Sequence, residues 1–176
     1  QVGSIITTCG YATTDFDLWP ETSKMILVLL MFIGACAGST GGGFKISRLL
    51  ILCKAIPKQL SLVIHPREVK VIRMDGKPID HNTLRSTNVY LAIYFFILLV
   101  STLLISVDNF NLTTNFTAVA STLNNIGPGL DGVGPTRNFG MYSDFSKFVL
   151  MFDMLAGRLE LYPLLILFMP SLWRRK

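Results

Sequence analysis

Thr7-Thr8-Cys9-Gly10-Tyr11-Ala12 and Asn124-Asn125-Ile126-Gly127-Pro128-Gly129 sit in the same kind of setting. Each comes after an apolar segment too short to cross a bilayer, and each leads through a polar stretch into a long apolar run. The runs align without gaps: Ser23-Lys24-Met25-Ile26-Leu27 matches Ser146-Lys147-Phe148-Val149-Leu150, and Gly34 matches Gly157 at the same offset. Between Gly10 and Gly127 the offset is six residues smaller, so the second copy carries six extra residues after its loop. A small-residue turn between a half-length helix and a full-length one reads as a re-entrant pore loop. Irregular backbone at membrane depth is tolerated only where protein buries it or it lines a wet path. The two loops are read as lining an ion pathway.

Composition agrees with a membrane setting. The 176 residues are 51% hydrophobic and only 15% charged, against roughly a quarter charged in soluble domains. The chain opens with Gln1 inside an apolar segment and reads as a piece of a longer membrane protein. Its net charge of +5 raises nucleic acid as a partner, but the placement of charge argues against it. Nine of sixteen cations fall between Lys45 and Arg85, and Arg174-Arg175-Lys176 ends the chain. Basic loops stay cytoplasmic, which puts both segments and the carboxy terminus on one side. Asp15, Asp17, Glu21, Asp108, Asp131 and Asp144 fall on the other. Cys9, Cys36 and Cys53 match no metal or disulfide framework and are read as small buried thiols.

Residues 1–57 are expected to hold a pore helix, a filter loop and a broken inner helix. Met25 to Phe44 carries no charge, but Gly34, Gly38, Gly41, Gly42 and Gly43 accumulate in its second half. Each interior glycine costs about 1 kcal/mol relative to alanine, so the helix should open there. It is expected to resume at Phe44 and to end before Pro57. Residues 58–86 form a connector in which Val69 to Met74, Asp75-Gly76 and Lys77-Pro78-Ile79 predict a small cytoplasmic hairpin. Residues 87–176 are expected to form a complete membrane–pore-loop–membrane unit. It comprises a span over Val89–Val107, a pore helix over Phe116–Leu123 capped by Thr114 or Asn115, and a last span over Phe145–Met169. Asn111-Leu112-Thr113 and Asn115-Phe116-Thr117 fit the glycosylation pattern. Both are read as chance matches.

A cation leaving water needs oxygens that replace its hydration shell, and backbone carbonyls supply them without a trapping charge. Gly10 and Gly127 allow carbonyl orientations that a Cβ resists. Gly38-Ser39-Thr40-Gly41-Gly42-Gly43-Phe44-Lys45 looks like a phosphate loop at first sight. Phe44 stands where that pattern needs Lys, and the preceding segment is membrane helix rather than strand. A flexible gate beneath the filter, or glycines for close helix packing, fits it better. Asp153, Arg158 and Glu160 lie in the last apolar run without i,i+4 pairing among them. Intramembrane charge marks a functional candidate. Arg158, at the position matching Ala35, is read either as a resting electrostatic barrier beside the Gly38–Gly43 stretch or as a structural arginine paired to a carboxylate elsewhere.

With these residues in place, the chain resembles the carboxy-terminal half of a Trk/Ktr-type potassium uptake membrane subunit, the TrkH/TrkG group in particular. The resemblance rests on Thr7 to Thr13, Gly38 to Lys45, Asn125 to Gly129 and Gly157-Arg158-Leu159-Glu160. It implies an all-α membrane protein in which four membrane–pore-loop–membrane repeats surround one K⁺ path. This chain would run from the third repeat's pore loop through the fourth repeat. The filter would comprise Thr8, Cys9, Gly10 and Tyr11 with Asn125, Ile126, Gly127 and Pro128. The gate would comprise Gly38, Ser39, Thr40, Gly41, Gly42, Gly43 and Lys45, with Arg158 nearby. Cys9-Gly10-Tyr11 stands where the family often has Thr-Gly-Phe.

The implied activity is gated K⁺ uptake across the plasma (inner) membrane, with K⁺ as the transported ion, no covalent cofactor and no enzyme chemistry. The implied partners are membrane lipid, a second copy of the subunit and a cytosolic nucleotide-binding regulator of the TrkA type. Two alternatives stay open: a secondary transporter (a symport type) coupling K⁺ to H⁺ or Na⁺, and a non-conducting membrane assembly subunit.

Overall fold

The computed structural model describes residues 1–34, 36, 39, 41–65, 71–74, 76–159 and 161–167. The first helix, α1 (Val2–Ile6), is short and ends in a turn. A 3₁₀ turn at Phe16–Leu18 comes next, opened by Asp15, whose carboxylate accepts from the Asp17 N–H at 3.1 Å. Helix α2 (Glu21–Phe32) starts directly after Pro20, with Glu21 favourably placed at its amino end and paired with Lys24. It stops at Phe32. The chain then makes β1 (Ile33–Gly34), which pairs in parallel with β2 (Phe44–Lys45), so a two-residue ladder closes the neck of the glycine-rich loop. The expected mid-run break is therefore present.

Helix α3 (Ile46–Ile64) runs through Pro57 and corrects the expectation that the segment ends before that residue. Pro57 removes one backbone donor and crowds the preceding turn. The helix tolerates that single loss and runs on to its cap at His65, whose N–H donates to the Ser61 carbonyl at 2.7 Å. Arg73–Met74 (β3) and Lys77–Pro78 (β4) form an antiparallel hairpin in which Arg73 faces Pro78 and Gly76 takes φ +77°. The hairpin is anchored to α3 by the Lys54 ammonium, which donates to the Arg73 carbonyl at 2.9 Å. Its expected strand residues Val69 and Lys70 and turn residue Asp75 lie outside the described residues.

Helix α4 (His81–Ile105) is the longest element. The most apolar 18-residue window of Asn82–Asp108 has mean hydropathy 2.4, and only 28% of that window is buried within the chain. A helix apolar all round with so little cover needs lipid or further protein against it. Among the described residues it is the one helix long and apolar enough to cross a bilayer. Of the other two apolar runs, Met25–Phe44 is interrupted as expected, whereas the described residues of Phe145–Met169 are helical. The first stops at Phe32 for its glycines. The second is described as α6 (Asp144–Leu159) and α7 (Leu161–Leu167), with Glu160 between them outside the described residues.

Helix α5 (Leu112–Leu123) begins one turn before the expected Phe116. The Asp131 carboxylate explains the longer start: it accepts from the Asn111 side chain and the Thr114 hydroxyl, each at 3.0 Å, at the helix's positive end. Asn115 is thereby built into the helix. Its side chain is buried and bonded by the Tyr142 hydroxyl at 3.0 Å, which leaves no room for a glycan there.

Helix α5 is the most enclosed element of the chain, with nine of its residues buried. One apolar cluster joins it to α4 and α6 through Tyr94, Leu98, Val119, Leu123 and Leu150. A second joins α1 and α2 to the segment after α5 through Ile5, Leu27, Met31, Ile126 and Leu130. Asp153 of α6 is fully buried, and its Oδ1 accepts from the Ser101 hydroxyl of α4 at 2.7 Å. The cysteines depart from expectation: Cys9, Cys36 and Cys53 are all exposed. Each lies in a loop or on a helix face that this chain leaves uncovered.

Candidate functional site

The turns after α1 and α5 are built alike, residue for residue, at one offset. Thr7 and Asn124 are helix caps in the right-handed region. Thr8 and Asn125 both take φ +55°, and Gly10 and Gly127 take +76° and +113°. The Thr8 N–H donates to the Ile5 carbonyl and Cys9 N–H to Ser4, at 3.1 and 2.9 Å. Correspondingly, Asn125 N–H donates to Thr122 and Ile126 N–H to Ser121, at 3.0 and 2.9 Å. A left-handed, β-branched Thr8 is uncommon, and such strain persists only where surroundings over-determine it.

The two turns also touch. A Cβ on Gly10 would collide with the Ile126 carbonyl oxygen and lie 3.3 Å from Pro128 Cδ. The structure therefore brings the Gly10 and Gly127 loops side by side. Tyr11 is 82% exposed, so its ring packs on neither turn. Among the described residues no three His, Cys, Asp or Glu side chains gather as a metal set. The oxygens on offer here are main-chain carbonyls and hydroxyls. One carbonyl is already engaged: Gly127 O accepts from the Ser121 hydroxyl at 2.6 Å.

The second turn is held on two sides. From one, the Asn125 amide donates to the Met154 carbonyl of α6 at 3.0 Å, and Gly157 lets α6 press against the Leu123 carbonyl. On the other, Gly42 and Gly43 of the glycine-rich loop lie against Asn124, and a Cβ on Gly42 would stand 2.5 Å from the Asn124 carbonyl oxygen. Gly34 packs on the Gly42 carbonyl in the same way, at 2.7 Å. Ser39 accepts from the Gly41 N–H at 3.1 Å, while Gly38 and Thr40 lie outside the described residues. Lys45 is the cap of α3, directly below the loop. Arg158 comes after Gly157 on the exposed side of α6, and Glu160 lies outside the described residues.

Beyond the turns the correspondence resumes at the larger offset. The 3₁₀ turn at Phe139–Met141 repeats that at Phe16–Leu18, with Asn138 accepting from the Gly140 N–H at 2.9 Å as Asp15 does from Asp17. The six extra residues therefore fall between Gly127 and Asn138, where a further 3₁₀ turn at Asp131–Val133 stands. That insertion reaches across to the first copy: Asp131 N–H donates to Asp17 at 2.9 Å, and the Thr136 hydroxyl donates to Asp15 at 3.2 Å. Hydrogen bonds from Asn111 and then Thr114 hold the Asp131 carboxyl below its ordinary value of 3.8.

Several residues that shape this site went unnoticed in the sequence. Ser4 and Ser121 occupy matching positions, so the shared offset alone could have found them. Tyr94 carries no such signal, because its contact with Asn124 joins positions thirty residues apart.

Residues 1–175 match the family described as "TrkH: Cation transport protein". The chain belongs to that family. It is 40% identical over 174 residues to the Trk system potassium uptake protein TrkH of Vibrio parahaemolyticus, covering 99% of this chain and 36% of that protein. To TrkG of Escherichia coli K12, also named a Trk system potassium uptake protein, it is 33% identical over 171 residues, covering 97% of this chain and 35% of that protein. The crystal structure of the potassium transporter TrkH from Vibrio parahaemolyticus superposes with a TM-score of 0.86 at 39% identity, over 97% of this chain and 36% of that one. The chain thus spans about a third of the length of the relatives it matches.

Proposed function

We propose that the protein containing this chain takes up K⁺ across the plasma membrane, and that the two turns form half of its filter. The observation that carries this reading is the repeated turn itself. Thr8-Cys9-Gly10-Tyr11 and Asn125-Ile126-Gly127-Pro128 present the same left-handed backbone at the carboxyl ends of two short helices, in contact at Gly10. Helix carboxyl ends carry partial negative charge, and carbonyls at such turns replace a cation's water. Potassium is named as the cargo of the relatives.

In this reading α2 with α3 cross the membrane as an interrupted helix and α6 with α7 form the last span, and the chain supplies parts of two of four repeats. An open groove of about 500 Å³ supports the remaining half of the ring, lined by Ser121, Ile126, Gly127, Lys147, Met151 and Met154. Lys147, Met151 and Met154 correspond to Lys24, Val28 and Met31 of α2, and Val28 and Met31 are buried in the cluster with Ile126 and Leu130. The face that α2 covers with a neighbouring turn is thus open on α6, ready for another pore helix and turn.

Gly38 to Gly43, with Lys45, act as the gate, because Gly42 and Gly43 lie directly against the residue before Asn125. Arg158 supplies a positive barrier near that gate. The hairpin and the chain's end face the cytoplasm, where a nucleotide-binding regulator of the TrkA type docks, and a second copy of the subunit completes a homodimer. In the intact protein Gly10→Ala should abolish K⁺ uptake in a K⁺-uptake-deficient cell, with normal amounts of protein in the membrane. Unchanged rescue of growth by that variant would rule the filter assignment out. A reversal potential that departs from the K⁺ Nernst value in a reconstituted bilayer would instead favour coupling to H⁺ or Na⁺.

A further inference from the structure

Both ends of the glycine-rich loop rest on one aromatic ring. Phe32, the last residue of α2, meets Tyr94 edge-on with ring centres 6.4 Å apart. Phe44, which resumes the chain in β2, lies 6.4 Å from the same ring on a tilted approach. The Tyr94 hydroxyl then donates to Asn124 Oδ1 at 2.8 Å. Asn124 is fully buried, and its amide donates to the Ala120 carbonyl at 2.7 Å, so the orientation of its side chain is fixed at both ends. Gly43 brings its backbone against that same Oδ1, and Gly42 lies against the Asn124 carbonyl oxygen. The next residue is Asn125, the left-handed position of the second turn.

We infer that Tyr94 is the positioning residue that joins the glycine-rich loop to the second turn, so that the loop's placement is felt at Asn125. The inference rests on the proposed conduction and adds to it a specific coupling route. Two properties of the site fit a coupling role better than simple packing. Among the described residues, the ring meets the loop at the two residues that bracket it, and the hydroxyl bonds the residue that precedes the turn. Buried hydrogen-bonded networks of this kind hold discrete arrangements, and losing one member leaves the others unsatisfied.

The test uses the intact protein in liposomes and reads the ratio of K⁺ to Na⁺ uptake per molecule. Tyr94→Phe keeps the ring and removes the bond to Asn124; the ratio is expected to fall roughly tenfold, on the scale of one buried hydrogen bond. Asn124→Ala should produce the same fall, and the double variant no further one, because both changes break one link. A purely structural Tyr94 would lower the amount of folded protein and leave the ratio alone. An unchanged ratio in Tyr94→Phe, or independent additive effects in the double variant, overturns the inference while leaving K⁺ conduction intact. If Tyr94→Phe does not reach the membrane, Phe44→Leu gives the reading: a ratio lowered about two- to threefold supports the inference, and an unchanged one overturns it. Absence of K⁺ flux in the unmodified protein would instead overturn the conduction reading, and the inference with it.

Discussion

The two copies share a turn and differ in the helix beyond it. Thr8 to Gly10 and Asn125 to Gly127 have the same backbone, yet α2 stops at Phe32 while α6 continues to Leu159. Gly34 and Gly157 hold equivalent positions, but Gly34 meets the Gly42 carbonyl of a folded-back loop, whereas Gly157 meets the end of α5. The glycines at 41 to 43 make the difference, since the second copy has Leu164-Leu165-Ile166 at the corresponding positions. Turn geometry and helix continuity are therefore set by separate stretches of sequence. In the proposed reading, one copy carries the gate while both carry the filter.

The largest effect tests whether the two glycines are equivalent. Within this chain a Cβ on Gly10 collides with Ile126, whereas one on Gly127 meets nothing within 4 Å. If another loop of the intact protein occupies the space beside Gly127, Gly127→Ala should be as damaging as Gly10→Ala, each lowering K⁺ uptake about a hundredfold. Full activity in Gly127→Ala would show that no loop sits there.

A smaller effect separates the two downstream glycines. In an isolated helix Gly157→Ala would add about 1 kcal/mol of stability. Here the new methyl meets the Leu123 carbonyl, so a net loss of about 1–3 kcal/mol is expected, read as a lower Tm of the purified protein. An increase in Tm would mean that α6 does not press on α5 as described.

Arg158 sharpens the comparison further, because the matching position in the first copy is Ala35. Arg158→Ala should raise resting K⁺ flux several-fold, about what removing one partly screened charge allows. Unchanged flux and regulation would end its role as a barrier.

The smallest effect concerns the insertion that ties the copies together. The folded state depresses the Asp131 carboxyl below its unfolded value, so its ionised form favours folding above about pH 4. That contribution is lost as pH falls through the folded value. Thermal melts of the unmodified protein should therefore drop between pH 5 and about pH 3 by a degree or two more than those of Asp131→Asn. Parallel slopes would mean that Asp131 is not a fastener.

Much of this comparison was legible in the residues. Gly10 and Gly127 sit at turns that demand positive φ, and the gap-free match of Ser23 to Leu27 with Ser146 to Leu150 fixed the correspondence of α2 and α6. The interruption near Gly41 to Gly43 came from glycine's helix cost. Other features were hidden because tertiary contacts decide them. Pro57 stays inside α3 where local propensity argues for an end. The early start of α5 depends on Asp131, which lies 20 residues beyond Asn111 and 17 beyond Thr114. The left-handed Thr8 contradicts its own preference and is explained only by the hydrogen bonds around it. Most of the site's support, including Tyr94 on Asn124, joins distant positions and leaves no periodic trace.

The central assertion is that carbonyl oxygens of the two turns share one cation. Crystals of the intact protein soaked with Rb⁺ offer the most direct measurement, since its anomalous scattering reports the ion's position without reference to water. A peak is expected between the turns, within about 3 Å of main-chain oxygens near both Gly10 and Gly127. A protein that transports Rb⁺ yet shows its bound ion elsewhere, with those oxygens facing away from any shared axis, would contradict it.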